Sequence, residues 1–192
     1  LTDDDDHSDD GDDDTDGNTG FNGGGGENVV RNTTAVMDHI TAMGITKAPM
    51  IRVVVRGEGG ARVTIQGAPG QRVFEVNGHH LELVNVDVRG GFTSESGGCI
   101  KVQTHQVSSI ASMRTAAQLT VTDSTLTGCA AQDAGGAIWL SGATSSAALT
   151  RTTIEGCTAG RGGAVAATAN ANLTIASTRI ANCTAGNPSS AA

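Results

Sequence analysis

Apolar residues recur between positions 81 and 183 in a fixed frame. Three segments align on a cysteine without gaps: "LTVTDSTLTGC" (119–129), "AALTRTTIEGC" (147–157) and "LTIASTRIANC" (173–183). A fourth, "LELVNVDVRGG" (81–91), fits the same frame with Gly91 at the cysteine position. Leu81, Leu119, Ala147 and Leu173 open the frame, and Leu83, Val121, Leu149 and Ile175 follow two residues later. Val88, Leu126, Ile154 and Ile180 lie seven residues after the opening column. Apolar residues two apart carry the strand period, because alternate side chains of a strand face one way. Beyond each frame come Gly97-Gly98, Gly135-Gly136 and Gly162-Gly163, each leading into a short apolar run, "CIKV", "AIWL" or "AVAA". Each unit therefore predicts strand, bend, strand, a turn at Gly or Asn, then Gly-Gly and a third strand.

Such short strands cannot bury an inner face alone. Stacked at about 4.8 Å per storey, each column becomes a ladder of like residues along a parallel sheet. The frame openings lie 38, 28 and 26 residues apart, so the excess around "THQVSSIASMRTAAQ" predicts a loop bulging from one corner. Upstream, residues 51–76 alternate strands and glycine turns and predict the opening coils. Residues 33–43 place Val36, Ile40 and Met43 on one helical face with Asn32 as N-cap, a short helix suited to cover the first coil's open edge. The expected organisation is an acidic, Gly/Asp-rich tail or linker at 1–27, disordered in its acidic part, and a β-helix domain at 28–192. The run "NCTAGNPSSAA" brings no Gly-Gly strand, and the first residue is Leu1, so a longer parent protein with further coils is expected.

Composition narrows the core. Aromatic residues make up 2% of the chain, with one Trp and no Tyr, while Gly numbers 27. A core of Ala, Val, Ile and Leu must be thin. The net charge of −8 is local: residues 1–20 hold ten of the 20 acidic residues and none of the 12 basic ones, leaving the other 172 residues at +2. An acidic tail on a near-neutral body repels polyanions, which argues against a nucleic-acid partner. No run approaches the roughly 18 apolar residues of a membrane span.

At "GC(T/A)A…GGA(I/V)" the sequence resembles the right-handed parallel β-helix repeats of secreted and cell-surface proteins, in particular polymorphic outer membrane protein repeats. The stretch "VTIQGAPGQRVFEVNGHHLELVNVDVRGG" is similar to the opening coils of the wider pectin-lyase-like superfamily. The resemblance spans roughly residues 50–187. It implies an all-β, right-handed parallel β-helix of about five coils and an extracellular scaffold or adhesive role, and it carries over no catalytic residue.

The column Cys129, Cys157, Cys183 reads in three ways. The side chains serve as small buried hydrophobes, two of them form a disulfide within the ladder, or they bind a metal as thiolates. Parallel side chains suit the disulfide torsion poorly, and a linear stack is not tetrahedral, which favours the first reading. Cys99 falls in another column, beside Ala137 and Ala164. In the tail, "DDDTDG" offers Asp12, Asp14 and Asp16 as calcium ligands with Gly17 as the turn, but Gly23 stands where the closing Glu belongs. A solvated tail is the simpler reading, with weak calcium binding the alternative and no other cofactor expected. His79 and His80 are adjacent on a strand start and diverge. Asn32, Asn172 and Asn182 open Asn-x-Thr glycosylation sequons.

These features point to a structural or adhesive extracellular module, a rigid segment of a larger cell-surface or filament-forming protein. Its partners would be other chains of the assembly, further coils of the same chain, or glycans. A polysaccharide lyase or hydrolase is the alternative, and it needs clustered carboxylates with a base. Asp87, Asp123, Glu155, Lys101, Arg151 and Arg179 scatter over several columns; Asp87 and Asp123 fall near each other and Arg151 takes the Asp123 position of the next coil, but sugar-stacking aromatics are scarce, so an enzyme is the weaker expectation. Ice binding would require a flat threonine face. Thr122 and Thr150 begin such a column before Ala176 breaks it, and Ser124, Thr152 and Thr178 form another.

Overall fold

The computed structural model describes residues 29–31, 50–60, 62–106 and 114–186. The acidic tail with Asp12, Asp14 and Asp16, the sequon at Asn32, the helix expected at 33–43 and the tip of the corner loop at 107–113 lie outside the described residues.

Among the described residues the protein is all-β, without helices, and its strands assemble into four parallel sheets and one two-stranded antiparallel sheet. The first sheet sets Arg52–Arg56, His80–Val84, Gln118–Thr122, Ser146–Thr150 and Asn172–Ala176 side by side. The second orders Val29–Arg31, Val63–Gln66, Val86–Arg89, Thr125–Thr127, Thr153–Glu155 and Arg179–Ala181. The third holds Phe92–Thr93, Ala130–Ala134, Thr158–Arg161 and Thr184–Ala185. The fourth holds Phe74–Asn77, Ile100–Gln103, Ile138–Ser141 and Val165–Thr168. From His80 the chain visits the four sheets in turn and re-enters the first at Gln118, beside the strand it left. This is the path of a parallel β-solenoid, in which a residue's lateral neighbours are its counterparts one storey away.

The register puts the frame columns directly on top of one another. Leu81 pairs with Val53 and Leu119, and Ala147 pairs with Leu119 and Leu173. Leu81, Leu119, Leu83, Val121 and Leu149 are buried, as are Val88, Leu126 and Ile154 from the second sheet. Phe74 is the one aromatic ring in the buried core of the described residues, which fits a lumen built for aliphatic chains.

The Gly-Gly pairs divide their work. Gly97, Gly135 and Gly162 adopt φ of 78°, 65° and 55°, the left-handed region that side chains resist. Their partners Gly98, Gly136 and Gly163 sit where one storey's backbone presses on the next, and a Cβ at any of them would run into neighbouring carbonyl oxygens. The motif repeats because every storey must turn this corner and be closely approached there.

A second column of left-handed residues, Asn85, Asp123, Arg151 and Ser177 (φ 55°, 51°, 48° and 50°), bends the chain from the first sheet into the second. The residue after the bend turns inward. Ser124 and Thr152 are buried, and the hydroxyls of Ser124, Thr152 and Thr178 donate to the carbonyls of Thr122, Thr150 and Ala176 at 2.7, 3.1 and 3.1 Å. The same carbonyls accept the backbone N–H groups of Asn85, Asp123 and Arg151 from the preceding storey, each at 3.1 Å, so the inward hydroxyls find an acceptor without disturbing the ladder. The excess residues of the corner loop leave the solenoid as an antiparallel pair, His105–Gln106 against Arg114–Thr115.

Candidate functional site

Two arrangements of chemistry-bearing side chains occupy the side of the solenoid where the third and fourth sheets meet. One is a line of sulfur. Cys129, Cys157 and Cys183 lie at equivalent positions in successive storeys: Thr158 N–H donates to Cys129 O and Thr184 N–H to Cys157 O, each at 2.9 Å. Ala130 N–H donates to Gly91 O at 2.8 Å, so Gly91 occupies the same position one storey earlier. Gly91 has no side chain, and its space is taken by Cys99, whose Sγ lies 2.9 Å from where a Gly91 Cβ would stand. Cys99 is joined to Cys129 in a disulfide across a Cα separation of 5.4 Å.

The cysteines therefore do not share one role. Cys129 is covalently tied to the corner beside its column, to a residue the sequence reading put in a different column. Cys157 is a buried free thiol and Cys183 a half-buried one. The Cys157 thiol donates to Glu155 O at 3.4 Å and the Cys183 thiol to Ala181 O at 3.2 Å. Burial pushes the Cys157 thiol up to about 12, so it stays protonated at neutral pH. Sequence reasoning missed the Cys99–Cys129 pairing. The readable signal was the glycine at position 91: a gap in an otherwise cysteine-bearing column invites a neighbouring side chain to fill it.

The other arrangement is a set of charges around Arg72. Its guanidinium is largely buried and donates to Gly97 O and Ser96 O, each at 2.9 Å, while reaching Glu75 Oε2 at 2.9 Å and Glu95 Oε2 at 3.3 Å. Lys101 Nζ reaches Glu95 Oε2 at 3.3 Å and lies 5.7 Å from the centre of the Trp139 ring, a cation–π contact. Ser96 Oγ donates to Asp133 at 2.8 Å, and Asp133 also pairs with Arg161. The cluster clamps the turn at 93–97 to the storeys on either side. Lys101, then Arg72, holds the Glu95 carboxyl below the usual carboxylate range, and Arg161 with Ser96 does the same for Asp133. Groups held as carboxylates near neutrality are poor proton donors.

Of the remaining charged candidates, Arg179 is exposed on the last storey, and the others are engaged by neighbouring side chains. Arg151 forks onto Asp123, with Nε–Oδ1 at 2.6 Å and Nη2–Oδ2 at 2.8 Å. Asp87 accepts from Arg62 at 2.9 Å and from Arg89 at 3.3 Å, and Glu155 accepts from Asn182 Nδ2 at 3.3 Å. Lys101 joins the Arg72 cluster, away from these. His80 Nε2 lies 3.1 Å from Thr120 Oγ1 on the outer face, whereas His79 Nδ1 is buried without a hydrogen-bond partner among the described residues. Among the described residues, no group of three or more His, Cys, Asp or Glu side chains is placed to hold a metal ion. Asn172 and Asn182 are both exposed on the last storey. No helix among the described residues is long and apolar enough to cross a membrane. Neither known protein families, nor curated proteins, nor solved structures give a match to this chain.

Proposed function

We propose that this chain is a rigid segment of an extracellular structural or adhesive protein, a right-handed parallel β-helix of about five coils related to the pectin-lyase-like repeats it resembles. The observation that carries the reading is the step in exposure at the last storey. Leu149 and Ile154 are fully buried, yet their counterparts in the same columns, Ile175 and Ile180, are 45% and 46% exposed. A stacked fold that ends on an apolar, strand-edged face suits continued stacking, with further coils of the parent protein or a neighbouring chain laid on Asn172–Ala176 and Arg179–Ala181. Handedness follows the near-universal rule for parallel crossover connections. The Cys99–Cys129 bond supports an oxidising, extracellular setting, and exposed Asn172 and Asn182 suit glycan attachment there.

The enzyme alternative gains little support from the geometry, since the carboxylates at Asp87, Asp123, Glu95 and Asp133 are each engaged by arginine or lysine. The buried Ser124 and Thr152 hydroxyls likewise weaken a flat ice-binding face. The test is to raise an antibody against this segment and fractionate source cells. The expected result is label in an insoluble extracellular assembly or on the cell surface. Cytosolic label, release of unsaturated sugars from pectin or alginate, or thermal hysteresis by the purified chain would overturn the reading.

A further inference from the structure

We propose that Cys157 and Cys183 close a second disulfide, tying the last storey to the one before it as Cys99–Cys129 ties the two storeys above. The two residues are counterparts immediately before adjacent strands, held in register by the Thr184 N–H to Cys157 O bond of 2.9 Å and by the Thr158–Thr184 and Ala159–Ala185 pairs. Backbones one storey apart, at about 4.8 Å, fall within the Cα range a disulfide accepts. Both sulfurs sit in matching positions: Cys157 Sγ faces Leu126 O of the preceding storey at 3.9 Å, and Cys183 Sγ faces Ile154 O at 3.8 Å. Bond formation asks one of them to leave its carbonyls and swing toward the other, and half-buried Cys183 has the room. Cys129 is already taken by Cys99, so the last two thiols have each other as neighbours in the column. A compartment oxidising enough to keep the first bond will also oxidise a thiol pair stacked one storey apart. The last storey is also where packing holds least, with Ile175 and Ile180 open to solvent.

The chemistry needs a disulfide oxidant, and oxidised glutathione serves. The Cys183 thiolate attacks one glutathione sulfur and expels the other as a thiolate, leaving a mixed disulfide on Cys183. The Cys157 sulfur then attacks the Cys183 sulfur and expels the second glutathione. Two electrons pass from the cysteine pair to glutathione, and the two thiol protons go to the departing glutathione thiolates. Buried Cys157, with its raised thiol, completes the reaction rather than starting it.

The inference shares only the oxidising compartment with the proposed structural role, and its test uses the purified chain in a defined redox buffer, so the two fail separately. Trypsin cleaves after Arg151, Arg161 and Arg179, placing Cys157 and Cys183 on separate peptides, 152–161 and 180–192. After incubation with oxidised glutathione, the unreduced digest should contain these two peptides joined, the intact chain should be two hydrogens lighter, and Tm should rise by about 10 °C for a closed loop of this length. Cys157→Ser should instead stop at a glutathione adduct on Cys183, with no rise. Four results would overturn the proposal: both peptides alkylated as free thiols, a lasting glutathione adduct on the unmutated chain, a Cys129–Cys157 bond in place of the assigned one, or a Cys183-linked dimer.

Discussion

Replacing Gly136 with alanine tests the stacking geometry where it is tightest. The added Cβ would lie well inside contact distance of Gly163 O and within 2.6 and 2.8 Å of Thr158 O and N, all backbone atoms of the next storey. None is the end of a flexible side chain, so relief requires the storeys to part by roughly 1 Å at this corner to regain ordinary carbon–oxygen contact. The corner is held by Thr158 N–Cys129 O at 2.9 Å, Ala137 N–Ala164 O at 2.8 Å and Gly136 N–Gly162 O at 3.4 Å. Stretching two of these to the point of loss costs about 1 kcal/mol each, and overpacking adds roughly 1–3 kcal/mol. The expected loss is about 3–5 kcal/mol, a fall in Tm on the order of 10 °C for a domain of this size. Gly128→Ala is the matched control: its φ is +62° and no atom lies within 4 Å of the new Cβ, so it carries only the left-handed penalty of roughly 1–2 kcal/mol. Urea titration followed by circular dichroism gives both values. Equal losses for the two variants would refute the claim that Gly136 is fixed by inter-storey contact rather than by backbone conformation.

Gly91→Ala should stop Cys99 from reaching Cys129, since the new Cβ would meet Cys99 Sγ at 2.9 Å; thiol titration of the unfolded chain should find two more free cysteines than in the unmutated protein. Reducing that bond in the unmutated chain, which closes a separation of 30 residues, should lower stability by about 3–4 kcal/mol in a chemical-denaturation assay. Ser124→Ala removes the acceptor 3.1 Å from Val86 N–H and the donor to Thr122 O, and should cost about 1–3 kcal/mol, whereas substitution of exposed Thr174 should be near neutral. In acid, Glu82, Glu95, Asp123 and Asp133 are held below the usual carboxylate range by Arg52, Lys101, Arg151 and Arg161. The unfolded chain therefore binds protons first, so this stability is complete above about pH 5 and is lost as pH falls below about 4, with salt shrinking the loss. His79, held below the ordinary imidazole range by burial and then by His105, adds a smaller earlier loss as pH falls below about 6.5, which His79→Gln should abolish in Tm measurements across pH.

The columns were legible because a stacked parallel sheet makes each residue's neighbour a copy of itself. Leu81, Leu119, Ala147 and Leu173 could be aligned from the sequence and stand beside one another in the sheet. What the period conceals is any place where the path changes parity. Counting alternation through Asp123 sends Ser124 outward with Thr122, which is why Ser124, Thr152 and Thr178 read as a surface column. The left-handed bend at Asp123 and Arg151 consumes a residue without advancing the pleat, so Ser124 and Thr152 turn inward. The Cys99–Cys129 bond was hidden for a related reason. Alignment compares positions within a column, and this bond runs between columns, through the space that Gly91 leaves empty.

Charge shows why such a repeat cannot be perfect. In-register stacking places like residues about 4.8 Å apart, which suits leucine and would set carboxylate against carboxylate. The chain avoids this by changing sign from one storey to the next. Glu75 stands beside Lys101 in the fourth sheet, Asp123 faces Arg151 at the bend, Asp133 pairs with Arg161, and Arg52 pairs with Glu82 across the first sheet. Each pair is exposed on at least one side, so none contributes much to stability alone. Their joint effect is on register, because moving a strand by one storey would set these charges against uncharged residues and lose the pairs. Isolated acids and bases scattered over different columns, which in a linear reading suggest an incomplete catalytic set, thus have a structural reason to sit where they do. That reason is the same one that fixes the glycines: each storey must fit the one above it.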